Sequence, residues 1–544
     1  MDAWRQQVLK FREYGIEISG QQNFAFTFLF DKGISDSVEF FQWKIFNIAL
    51  CNKGVFTGKQ HFSDIDGINS VVFGIPAIRF SKIGDICRIY QSDIKLFVKE
   101  EINKTSAPKG VSYAIRLLRT WLYSEEDILS SFDLDKVIAD LQENCKDKKY
   151  ESLAIEFLIN NEKQAVLQLI PTLEKEQKEK NLVEYKASLS ENELQDIVEN
   201  TISLQKWQNS IDKKEDLEKI KCVDAKEVEL KNPFEETLFE TYKDLKFSHY
   251  NAVTNGISYT KLLFDISDFE LEQLQYASIL SYLLFNFNTK NKTEAEVIKE
   301  IGANLGGVSS YIDVFRKHKS DECEVKFIIS AKNLVEKSKE LANIIEETTL
   351  NVDFEDKEAL YNVLLEVKLM LENKFKNSGH AFVARRISGF YNPQSKLASY
   401  HGEYDFYLFV NKLLDNYKTD NESIKENLYN VAKLIFNKSR LLTNFVGNKE
   451  EYNNFKEVFT SFLEKYPKDT NRQKGFEIKL EETGYSEGFY FDSLVQYVGV
   501  GYNIKDYTGT HLVLRHILSL DYLWNNVRVK NGAYGSGAIF NNFG

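Results

Sequence analysis

Two residues near the carboxyl end of the sequence have types and spacing that could do chemistry. Arg528 and Tyr534 stand six apart in RVKNGAYGSGA (528–538), on either side of the turn signal Asn531-Gly532. A guanidinium is a permanent cation with a planar set of N–H donors, and a phenol adds one O–H donor. Held side by side, they would serve a peptide carbonyl oxygen or the oxyanion that forms when it is attacked. Val527 and Val529 flank the Arg, so the cation emerges from apolar surroundings. The stretch Ala533–Ala538, expected as a strand, is otherwise Gly, Ser and Ala. Tyr534 would stand above an open floor that another backbone could approach closely.

Other catalytic constellations are missing from the sequence. A zinc hydrolase brings ligands together as HExxH or the reversed HxxEH on a helix. The seven histidines are His61, His249, His318, His380, His401, His511 and His516, and no two are four apart. His511 and His516 are five apart, which on a helix points them about 140° away from each other. By these motifs the chain is not expected to hold its own catalytic zinc. There is no GxSxG elbow and no GxxxxGK[ST] phosphate loop. Gly302, Gly306 and Gly307 are not in GxGxxG order and read as helix-stop and turn glycines.

The elements that must position the pair follow from periodicity. NFAFTFLF (23–30), GINSVVFGIPAIRFS (67–81) and AVLQLIPTL (165–173) read as strands or strand pairs. SDSVEFFQWKIFNIALCNKG, DIKLFVKEEINKT and KGVSYAIRLLRTWLY read as helices between them. Residues 174–220 are charge-dense and poor in Gly. There Ser190 and Glu193 form a capping box, and Leu189 with Leu194 a hydrophobic staple. Leu194, Ile197, Val198, Leu204, Trp207 and Ile211 make a helical stripe, so this stretch is expected as a helical hairpin linking two larger blocks.

Beyond it, FSHYNAVTNGISYTKLLFDIS reads as a hairpin about Asn255-Gly256. Helices and alternating strands follow to residue 438. A further block opens at 439 with the strand SRLLTNFVGN, the helix KEEYNNFKEVFTSFLEKY and the strand SLVQYVGVGYNI. A broken helix, GTHLVLRHILSLDYLWNNVRVK, then leads into Arg528. The expected class is α+β: repeated domains of mostly antiparallel sheet with helices on one face, joined by the hairpin. The expected divisions are 1–173, 174–220, 221–438 and 439–544.

Composition narrows the function classes. The 544 residues are 43% hydrophobic and 13% aromatic, enough for buried cores. The formal net charge of −12, without a basic stripe, argues against a nucleic-acid partner. No apolar run is long enough to span a membrane. Cys51, Cys87, Cys145, Cys222 and Cys323 are scattered, with no CxxC, and read as reduced thiols. MDAWRQQVLKFREYG lacks the pattern of a signal peptide. A soluble protein of the cytoplasm or an organelle interior is expected.

SLVQYVGVGYNI and LSLDYLWNNVRVKNGAYGSGAIF resemble the C-terminal half of presequence protease and falcilysin, members of the pitrilysin/insulinase-type inverzincin metallopeptidases. The resemblance continues upstream in the same order through RRISGFYNPQSKLASYHGEYDFYLFV, IGANLGGVSSYIDVF, TNGISYTKLLFDIS, the charged hairpin and KGVSYAIRLLRTWLY. It implies two halves, each of two α+β domains, closing around a chamber, with zinc and HxxEH in the first half. It implies that Arg528 and Tyr534 reach across to an unstructured peptide substrate from the second half. By this resemblance the zinc ligands lie in polypeptide outside these residues. The chain is then an internal portion whose partner is the catalytic half. The alternative is an inactive peptidase-like binding or structural module.

Overall fold

The computed structural model describes residues 236–317 and 322–480 continuously. It also describes strands 23–29, 60–65, 68–75 and 164–169, the stretches 184–208, 213–219, 225–227, 486–490, 495–504 and 507–541, and a few isolated positions. The chain divides into two compact units, each described by itself.

The first unit contains a four-stranded antiparallel sheet of β1 (Asn23–Leu29), β2 (Gln60–Ile65), β3 (Ile68–Ile75) and β4 (Gln164–Leu169). The order is β2-β3-β1-β4. All three expected strand regions are present, and the pairing of Ile65 with Ile68 leaves only Asp66-Gly67 between β2 and β3. The expected helix following β1, and the continuation of β3 to residue 81, lie outside the described residues. Of KGVSYAIRLLRTWLY, residues 110, 114, 117 and 118 are described, and these are helical.

In the linker, α1 (Glu191–Gln208) starts where the capping box places it. The Ser190 N–H donates to Glu193 Oε2 at 2.8 Å, and the Glu193 N–H donates to Ser190 Oγ at 3.3 Å. A four-residue helix, α2 (Lys214–Leu217), follows. Of the apolar stripe on α1, Ile197, Val198, Leu204 and Trp207 are all exposed.

The second unit is built on a six-stranded sheet. Its strands are β5 (Leu238–Tyr242), β6 (Leu245–Asn251), β7 (Ile257–Asp265), β8 (Gly307–Arg316), β9 (Cys323–Leu334) and β10 (Leu441–Gly447), in the order β5-β6-β10-β7-β9-β8. Every pairing is antiparallel except β10 with β6. Two sequence expectations change here. β6 and β7 turn at Asn255-Gly256, both at positive φ, but do not pair with each other, because β10 lies between them. The true two-residue hairpin is β5–β6, over Lys243 and Asp244 at φ 49° and 64°. The boundary expected at 438/439 also falls inside this sheet, since β10 from beyond it is a central strand.

The helices are α3 (Leu271–Leu283), α4 (Glu294–Asn304), α5 (Ser338–Leu350), α6 (Lys357–Asn377), α7 (Gly379–Tyr391), α8 (Pro393–Gly402), α9 (Tyr404–Ile435), α10 (Lys449–Leu463) and α11 (Gly509–Ile517). Alternation explains which side of the sheet they cover. On β10, Leu441, Thr443 and Phe445 are buried, while Leu442, Asn444 and Val446 are only half-buried. Their cross-strand partners Phe264, Leu262 and Thr260 are buried on β7, and these in turn face Phe327, Ile329 and Ala331 on β9. With period-2 side chains, one buried row per strand makes one apolar face. Burying each such Phe contributes roughly 1.5–3 kcal/mol. The class is α+β, as expected.

Candidate functional site

The expected pair lies at the end of the last described helix. α11 starts after Thr508, whose backbone N–H donates to His511 Nδ1 at 3.0 Å. The helix then runs without a break into Leu518–Val529, where the turns widen to the π type. Such wide turns are rare and concentrate at functional sites. Arg528 sits in the last of them and is exposed. Its guanidinium carbon lies 3.9 Å from the ring centroid of Trp524. Among the described residues no carboxylate is paired with it.

The helix is closed by the turn that Asn531-Gly532 announced. Gly532 has φ +71°, and its N–H donates to the Arg528 carbonyl at 2.9 Å. The Ala533 N–H donates to the Val527 carbonyl at 3.2 Å. These bonds satisfy the last carbonyls, and the left-handed position explains the glycine. Tyr534 follows, 93% exposed and without a side-chain hydrogen bond to any described residue. Neither residue is buried in a core. No hydrogen bond or ring contact joins them to each other.

The segment carrying Tyr534 is not the expected strand: 533–541 has no ladder partner among the described residues. It turns back along the helix instead. The Ala538 N–H donates to Ser519 Oγ at 3.0 Å, and Phe540 comes within 5.9 Å of the His511 ring, centroid to centroid. SLVQYVGVGYNI is not a strand either over its described residues 495–504. It is extended along α7. Gly499 lies against Val383 and Ile387, and Gly501 against Ile387. The Tyr391 hydroxyl donates to the Gly501 carbonyl at 2.9 Å. The opposite side of this strap is open, with Val498 89% exposed. Upstream, Arg386 grips Glu487 with two bonds, Nε to Oε2 at 2.7 Å and Nη2 to Oε1 at 2.8 Å. Phe489 packs edge-on against Phe382 and Tyr404. Neither α7 nor α8 nor the Arg386 node was expected. Asn392-Pro393, an N-cap followed by a Pro at the first helical position, was the readable signal for α8.

The described histidines are dispersed. His249 is buried on β6, its Nε2 2.9 Å from the Gly447 carbonyl, and stacks on Tyr452 at 4.3 Å. His401, at the end of α8, has a buried Nε2 with no partner. Burial pulls its pKa down to about 4, aided by the charge of Lys374, so the ring is neutral at ordinary pH. Nearby, Glu403 takes 2.8 Å contacts from both Lys374 and Arg385. Among the described residues no three His, Cys, Asp or Glu side chains converge to hold a metal ion. None of the described helices is long and apolar enough to cross a membrane.

Residues 168–413 match the family model described as peptidase M16-C associated. Protein HypA of Clostridium perfringens is 29% identical over 452 residues, covering 80% of this chain and 45% of that protein. Presequence protease 1, chloroplastic/mitochondrial, of Arabidopsis thaliana is 23% identical, covering 81% of this chain and 42% of that protein. The chain thus spans about half the length of the curated relatives it matches. Among solved structures, a peptidase M16 inactive domain from Pseudomonas fluorescens is 11% identical, with a TM-score of 0.30 over 44% of this chain and 53% of that one.

Proposed function

We infer, from the place of this chain with the presequence-protease type of M16 peptidases, that it is a non-catalytic part of a zinc metalloendopeptidase, supplying Arg528 and Tyr534 to peptides cleaved elsewhere. Peptidases of this family are zinc enzymes. The described residues of this chain do not fit a zinc ion, so no step is assigned to a metal here. The reading places HxxEH and its zinc on other polypeptide, in the same gene product or a separate chain.

The observation that carries the reading is the state of the pair. Both side chains are exposed, both keep their donors free of acceptors among the described residues, and both are fixed by the same helix end. The Tyr534 O–H would donate to the scissile carbonyl oxygen as negative charge grows on it. Arg528 would donate to the same oxygen or to a neighbouring main-chain carbonyl of an unstructured peptide. A donor aimed at developing charge is worth far more in the transition state than in the ground state.

One substitution in the assembled enzyme tests this. Tyr534→Phe removes one donor and keeps the ring, and should lower turnover about 10²-fold or more with little change in KM. Unchanged turnover would remove the role. The competing reading, an inactive binding module, draws on the lack of a metal cluster among the described residues. It requires that no HxxEH-bearing polypeptide restore cleavage.

A further inference from the structure

Trp524 has no role in the reading above, yet its ring is the only side-chain partner the described residues give Arg528. The guanidinium lies 3.9 Å from the ring centroid. The two residues are four apart on one continuous helical segment, so the helix itself sets their approach. Trp524 is 39% exposed and Arg528 is exposed, so the stack is not a by-product of core packing.

How an arginine is held decides what it can still bind. A carboxylate partner occupies two in-plane N–H groups and cancels the charge. An aromatic face takes the flat side of the guanidinium, leaving the in-plane donors and the charge available. Stacking also removes rotamer freedom that a ligand would otherwise have to remove on binding. Elsewhere in the unit the opposite arrangement holds a structural arginine. Arg386 stacks on Phe390 and Tyr404 but also spends its fork on Glu487. Arg528 has the aromatic face alone among the described residues.

We propose that Trp524 is a positioning residue that keeps Arg528 as a standing, un-neutralised anchor for the main-chain carbonyl oxygens of an extended peptide. The proposal rests on the assignment of Arg528 to peptide binding. It adds that the anchor is preformed in this chain and works before any catalytic half is present.

The test is a double-mutant cycle on the full chain, read by anisotropy of a fluorescent, unstructured, uncharged peptide blocked at both ends. The wild-type chain is expected to bind it. Arg528→Gln should weaken binding about tenfold, the loss of one charge-assisted hydrogen bond. Trp524→Leu should weaken it to a similar degree, and the double variant no further than Arg528→Gln alone, the signature of coupled residues. Trp524→Phe keeps an aromatic face and should recover most of the loss, which a fold defect would not allow. Wild-type binding by Trp524→Leu, losses that multiply in the double variant, or a wild-type chain that binds no peptide would each overturn the anchor. Binding lost in Trp524→Leu but kept in Arg528→Gln would instead remove Arg528 from peptide binding, and the proposed function would lose that residue as well.

Discussion

Tyr534 and Arg528 owe their availability to very small local features. Gly532 accepts a positive φ and closes the helix, so the chain leaves at a fixed angle with Tyr534 two residues further on. Trp524 occupies the flat face of the guanidinium and spares its edges. A different kind of residue behaviour appears at His401, where a neutral ring is buried beside Lys374 and Glu403. Its pKa is depressed to about 4, below the ordinary value near 6.5. The unfolded chain therefore binds a proton that the folded chain refuses, and stability falls as pH drops from about 6.5 toward 4. His401→Leu should flatten that part of a melting-temperature profile against pH. An unaltered slope would show that other groups set it.

Elements were more legible than their partners. β7, β9 and β10 alternate in sequence as they alternate in burial, and α5, α6 and α10 carry clear helical stripes. What could not be read was the neighbour of each strand. Asn255-Gly256 has turn chemistry, but turn chemistry fixes a bend and not a pairing, and β10 enters between β6 and β7 from nearly 200 positions away. Lys243-Asp244 adopts the left-handed conformation without the glycine that usually announces such a turn. The strands expected at 495–502 and 533–538 have β-prone or small residues, yet without a ladder partner among the described residues they lie against helices. For the strap this can be checked. A Cβ at residue 501 would run into Ile387 Cγ2. Gly501→Val should therefore detach the strap, lower the melting temperature by an amount equivalent to roughly 1–3 kcal/mol and open a protease site within 495–504. A variant as resistant as wild type would mean the strap is not held there. Of the candidate site, the residue types and the turn were legible, whereas the Trp524 platform and the docking of 486–502 on α7 were not, since both depend on side-chain contacts that spacing alone does not choose.

At the scale of the molecule, the region that carries Arg528 and Tyr534 has little burial of its own. Leu512, Val513, Ile517, Leu520 and Tyr522 on the terminal helical segment are all exposed, as are Val498, Val500 and Tyr502 on the strap. Apolar patches of this kind mark surfaces that other polypeptide covers. The isolated chain should self-associate in a concentration-dependent manner, and Leu520→Glu should reduce this association. Sedimentation of a strict monomer at all concentrations would show that the surface needs no cover.

The claim on which the account turns is that these residues act at a metal housed elsewhere. The most direct measurement is cleavage of an unstructured peptide, with and without a chelator, by this chain alone and by the chain assembled with the HxxEH-bearing polypeptide of its relatives. The account predicts no cleavage by the chain alone, and chelator-sensitive cleavage by the assembly that falls about 10²-fold in Tyr534→Phe. Chelator-sensitive cleavage by the chain alone, with zinc bound in equal amount to protein, would contradict it.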